Sequence, residues 1–163
     1  MRHAVLFASA ALLALPLHAQ HTHGEGKLDI AIDKDRLSIN LELPLDVAVG
    51  FERAPKSDKE KAALTAAQKA VADPALFVPT PAAACKADTP KVMLSEFGKT
   101  GADQHADIDA THEFRCANPA ALKSIETTIF KSFKRLYRLE ARRAGPSGQG
   151  AARLTPKNPV FAW

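Results

Sequence analysis

From Leu28 to Leu43 the chain alternates apolar and polar residues. Leu28, Ile30 and Ile32 fall on one side, with Asp29, Ala31 and Asp33 on the other. After the polar "DKD" of Asp33 to Asp35, Leu37, Ile39, Leu41 and Leu43 alternate against Ser38, Asn40 and Glu42. Period two on both sides of a short polar turn predicts an antiparallel hairpin with one buried face. Pro44 interrupts the second strand, and "VAVGFE", Val47 to Glu52, either resumes it or bends away. The alternation returns at Asp107. Ile108, Ala110, His112, Phe114 and Cys116 share one side, and Asp107, Asp109, Thr111, Glu113 and Arg115 the other.

Between these regions the period changes. "SDKE", Ser57 to Glu60, has the form of a capping box, and Leu64, Ala67, Ala70 and Val71 then recur on one side of an alanine-rich run that predicts the main helix. Asp73-Pro74 ends it. "VPTPAAACKADTP" reads as an irregular connection, Val92 and Leu94 mark a third short strand, and "FGKTGADQ" is the most loop-like part of the interior. "NPAALKS" offers an Asn cap with Pro at the first helical position, which predicts a helical turn. "IETTIF" and "RLYRLEAR" read as strands, "GPSGQG" as a turn, and Ala151 to Leu154 as the final strand. The pattern defines an α+β fold: an antiparallel β-sheet of hairpins with one main helix packed on it, in a single domain.

The first 19 residues are expected to be a secretory signal. Arg2 and the amino terminus form a short positive region, Ala4 to Leu17 is an apolar run, and "LHA" at Leu17 to Ala19, ending on a small residue, is an acceptable cleavage site. No later stretch approaches the ~18 apolar residues of a membrane span, so no membrane insertion is expected after signal cleavage. Residues 20–163, 144 positions (163 less 19), are enough for one domain with a real core. Without Arg2 the 22 basic residues become 21 against 18 acidic ones, a net of +3 spread along the chain. That pattern, in an exported protein, argues against a nucleic-acid partner. Cys85 and Cys116 are an even pair in an oxidising compartment and are expected to be bridged. Closing a loop of about 30 residues contributes about 3–4 kcal/mol in the chain-entropy model. The rival reading, a cysteine metal site, lacks any CxxC or CxxH companion.

No arrangement for catalysis emerges. A serine nucleophile needs a base within reach and usually a glycine-flanked elbow, and neither Ser132 nor Ser147 has that context. "GPSGQG" joins two strand-like segments without the following helix that phosphate binding exploits. Metal binding is the better candidate. Cleavage after Ala19 would put His21 and His23 at a mature tip, where residues two apart in an extended chain face the same way, so that His21, His23 and Glu25 can share a side. Two imidazoles and a carboxylate are a partial donor set for Zn²⁺, and a free amine at Gln20 beside His21 would suit Cu²⁺, the second choice. His105 and Asp107 form a further pair two residues apart. His112 has the parity of Phe114 and Cys116 and is expected to be a packed ring with one satisfied nitrogen.

Taken in order, "HTHGEGKLDIAID", "GFERAP", the capped helix, the second cysteine in "FRCANPAAL" and "PSGQGAARLTPKNP" resemble the zinc-regulated periplasmic protein family typified by ZrgA. The resemblance covers essentially the whole mature chain. It implies a soluble periplasmic zinc-binding protein that assists a high-affinity zinc importer, with the importer's solute-binding component as the partner. His21 and His23 match the family's opening motif. Relatives carry a long histidine- and aspartate-rich central tract; the matching "EFGKTGADQHADIDATHEF" holds only His105 and His112, too few histidines for bulk zinc storage. The expectation is thus a metal-binding accessory protein with ligands His21 and His23, and His105 and Asp107 as completions. A reading from another class is an envelope protein-interaction module with no metal role.

Overall fold

The computed structural model describes residues 23–95, 97 and 106–163. Its main sheet contains seven strands: β1 (Glu25–Asp33), β2 (Arg36–Pro44), β4 (Cys85–Ala87), β5 (Lys91–Leu94), β6 (Asp107–Cys116), β8 (Arg138–Gly145) and β9 (Gly148–Leu154). A smaller sheet has the order β10-β7-β3, from Val160–Ala162, Ser124–Thr127 and Phe77–Pro79. The main sheet runs β4-β6-β2-β1-β8-β9, with β5 also paired to β6. The expected hairpin is β1–β2, in register from Lys27↔Glu42 to Asp33↔Arg36, with Lys34 in the left-handed region of its tight turn. β6 then pairs along the whole of β2.

The alternation read from the sequence is the burial pattern of these strands. Leu28, Ile30, Leu37, Ile39, Leu41, Leu43, Ile108, Ala110, His112, Phe114 and Cys116 are all buried on one face. Helix α2 (Asp58–Val71) turns Leu64, Ala67 and Val71 into this core. Its cap forms as expected: Glu60 N–H donates to Ser57 Oγ at 3.2 Å. The Glu60 carboxylate reaches back to Lys56 N–H at 2.6 Å and holds Arg53. These bonds hold the Glu60 carboxyl down at about 2, with the Arg53 guanidinium the largest cause. Cys85 and Cys116 face each other across β4 and β6 and are joined by a disulfide.

The α+β class and the single domain hold, and several local expectations change. β1 pairs β8 in parallel, from Glu25↔Arg138 to Ala31↔Ala144, so the sheet is not antiparallel throughout. Past Pro44 the chain bends away into a single turn, α1 (Leu45–Ala48). The segment around Cys85 contributes the short strands β3 and β4 instead of remaining irregular. "IETTIF" is a strand only to Thr127; Ile129–Ser132 then form a helical turn, α3. Pro119–Ala121 make the expected turn as a 3-10 helix, but the Asn118 side chain does not cap it. "GPSGQG" is the β8–β9 hairpin turn, closed by Gly145↔Gly148 with Gly148 at φ +92°.

Candidate metal-handling tip

Four chain segments meet at one end of the main sheet. His23 and Gly24 lead into β1, Leu45 and Asp46 follow β2, Ala106 leads into β6, and Tyr137 leads into β8. Backbone hydrogen bonds tie them together. Leu45 N–H donates to Ala106 O at 2.8 Å, and Tyr137 N–H to Gly24 O at 3.0 Å. Gly24 is required here: its φ is +82°, and a Cβ at this position would sit 2.1 Å from Tyr137 Cε1. The Tyr137 ring therefore presses on the chain one residue beyond His23. Its hydroxyl donates to Glu25 Oε1 at 3.3 Å, and Glu25 also pairs with Arg138.

His23 projects from this platform with 85% of its side chain exposed, and its Nδ1–H donates to Asp46 Oδ2 at 2.8 Å. That bond, then the negative charge of Asp46, raises the His23 pKa above its ordinary 6.5. Asp46 is only 23% exposed. It was not among the expected site residues: "PLDVAVG" shows it as one acid in an apolar run, 23 positions from its histidine. The available signal was that isolation, because a lone carboxylate between buried apolar neighbours needs a partner.

Of the four expected ligands, His23 and Asp107 are placed; His21 and His105 lie outside the described residues. Asp107 opens β6 opposite Pro44, two residues from Asp46. Among the described residues no three His, Cys, Asp or Glu side chains gather as a metal cluster. The donors in contact are one imidazole and one carboxylate, both of a type that zinc accepts. Beside the tip, the outer sheet face carries Glu25, Lys27, Asp29, Glu42, Glu140 and Arg142 around a concavity. Its charges are partly neutralised within the face, as in Lys27–Glu42 at 2.6 Å and Arg138–Glu140 at 3.0 Å.

His112 lies elsewhere, 1% exposed beneath α2. Its Nε2–H donates to the Val71 carbonyl at 2.9 Å, its Nδ1 is buried without a partner, and Phe77 packs edge-on at 5.0 Å. It is the packed ring with one satisfied nitrogen that its parity implied.

The fold and this end of the sheet define a single-domain α+β protein that presents a carboxylate-paired histidine at its tip. The model of the ZrgA family zinc uptake proteins matches residues 20–163, and the chain belongs to that family. No curated protein matches the sequence significantly. Membership gives the chain a general accessory role in zinc uptake, in a family that is periplasmic and non-catalytic. No helix among the described residues is long and apolar enough to cross a membrane.

Proposed function

We propose that this protein is exported to the periplasm, binds zinc at its N-terminal tip and passes it to the solute-binding component of a zinc importer. The observation that supports this most is the exposed His23 ring. Its Nδ1 is engaged by Asp46, which leaves Nε2 as the nitrogen available to a metal. His21, two residues before, is the natural second ligand. His105 and Asp107 are the candidates to complete the set: Ala106 between them is bonded to Leu45, the neighbour of Asp46, although Asp107 does not gather with His23 and Asp46 into a cluster of three. An exposed site at a chain tip favours exchangeable binding, which suits hand-over: tight capture would compete with delivery. Copper, drawn to the same nitrogens, is the second metal.

Calorimetric titration of the exported protein with Zn²⁺ tests the reading. Saturable binding near one equivalent that disappears when His21 and His23 are both changed to alanine is the expected result. Equal binding in the variant moves the site away from the tip. Absence of binding in either protein favours an interaction module over a metal carrier.

A further inference from the structure

Asp46 is held more firmly than a surface carboxylate needs to be. It sits in the single turn α1 between Leu45 and Val47, which are 0% and 2% exposed and anchored in the core. Pro44 precedes this turn at φ −56°, Leu45 N–H is bonded to Ala106 O at 2.8 Å, and Val49 N–H closes onto Leu45 O at 2.8 Å. The carboxylate therefore stands on a fixed base while the imidazole it meets is mostly in solvent. The histidine side is fixed as well, through Gly24 at φ +82° under the Tyr137 ring and the Tyr137–Gly24 backbone bond. An ordinary exposed ion pair joins two free side chains and contributes little. Here the turn that carries Asp46 and the glycine beside His23 are both tied down, and one hydrogen bond, Nδ1–H to Oδ2, orients an otherwise exposed ring.

A histidine that ligates a metal through one nitrogen commonly donates its other N–H to a carboxylate, which fixes the tautomer and the ring's direction. We propose that Asp46 is the positioning residue of the tip: in the neutral ring it holds the proton of His23 on Nδ1, so that Nε2 is the nitrogen left bare and turned outward for Zn²⁺. This rests on the zinc reading above and adds a residue that makes no contact with the metal in its proposed role. Without Asp46 the ring is free to rotate and to carry its proton on Nε2, so each binding event must first select the right tautomer and orientation.

The test compares the exported wild-type protein with Asp46→Asn, Asp46→Ala and His23→Ala, using Zn²⁺ competed against a chromophoric chelator. Long-range ¹H–¹⁵N correlation of the metal-free proteins, above the titration of the imidazole, reads the tautomer of His23. Asp46→Asn and Asp46→Ala are expected to weaken zinc binding by about 10–100-fold, as loss of such a partner does elsewhere. The His23 proton should move toward Nε2, with the melting temperature nearly unchanged. Wild-type affinity and an unchanged tautomer in both Asp46 variants, with binding still lost in His23→Ala, overturn the role of Asp46 and leave the zinc reading standing. Wild-type binding in His23→Ala overturns both.

Discussion

His23 and His112 are the same side chain in opposite circumstances. His23 is at the exposed end of the sheet, paired through Nδ1 to a carboxylate, and its pKa is raised. His112 is under α2, paired through Nε2 to a backbone carbonyl, and its pKa is lowered, chiefly by burial. A metal requires a bare nitrogen that solvent can reach. His112 has a bare Nδ1 but no access to it; His23 has access, and its carboxylate partner fixes which nitrogen is bare. Histidine content alone therefore does not identify a ligand: the partner of the second nitrogen and the exposure of the first decide it.

Substitution separates the two residues. His112→Ala removes a buried ring from the β6–α2 contact and should cost about 2–4 kcal/mol in a denaturant titration, with zinc binding retained in the folded fraction. His23→Ala should do the reverse, removing zinc binding while the unfolding midpoint stays within error. A variant that binds metal poorly only because it is unfolded at the assay temperature would erase this contrast, so both measurements belong on each protein.

Gly24→Ala probes the base on which His23 stands. The left-handed φ and the collision with Tyr137 should cost about 1–3 kcal/mol. Unlike His112→Ala, it should also weaken zinc binding, because the tip must shift to relieve the contact. Ser57→Ala is a control of moderate size. It deletes the cap of α2, far from the tip in the chain, and should cost about 1 kcal/mol with zinc affinity unchanged.

The smallest effects are in pH, and their signs differ. His112 is neutral in the fold, and its unfolded form takes up a proton near pH 6.5. Its contribution is therefore complete above 6.5 and declines as pH falls from there toward its lower folded value. The His23–Asp46 pair contributes below 6.5 and loses that contribution as pH rises through the raised folded value. Melting temperature followed from pH 8 to pH 5 should thus fall less steeply below 6.5 in a folded His112→Leu variant than in the wild type. The exposed His23 should leave a much weaker trace of opposite sign.

Much of this was legible in the sequence wherever an element is long enough to show its period. β1, β2 and β6 run nine, nine and ten residues, and each displays the alternation that becomes its burial pattern. Helix α2 carries both its cap and its inward stripe. β3, β4 and β10 have three residues each, too few for a period, and exist because longer neighbours offer them an edge. The parallel β1–β8 ladder was hidden for another reason: alternation gives a strand its faces but not the direction of its partner. At the tip, the spacing of His21 and His23 drew attention to the segment that leads into β1, whereas Asp46 and Tyr137 reach it only through pairing across the sheet. The topology also explains why Asp107 belongs to the same end of the molecule, since β6 starts where β2 finishes.

Crystals of the zinc-loaded protein, measured on both sides of the zinc absorption edge, decide whether His23 carries the metal through Nε2. The expected result is an anomalous peak within bonding distance of His23 Nε2, with Asp46 still on Nδ1. A peak on the outer sheet face instead, for example between the paired Glu42 and Asp109, would contradict it.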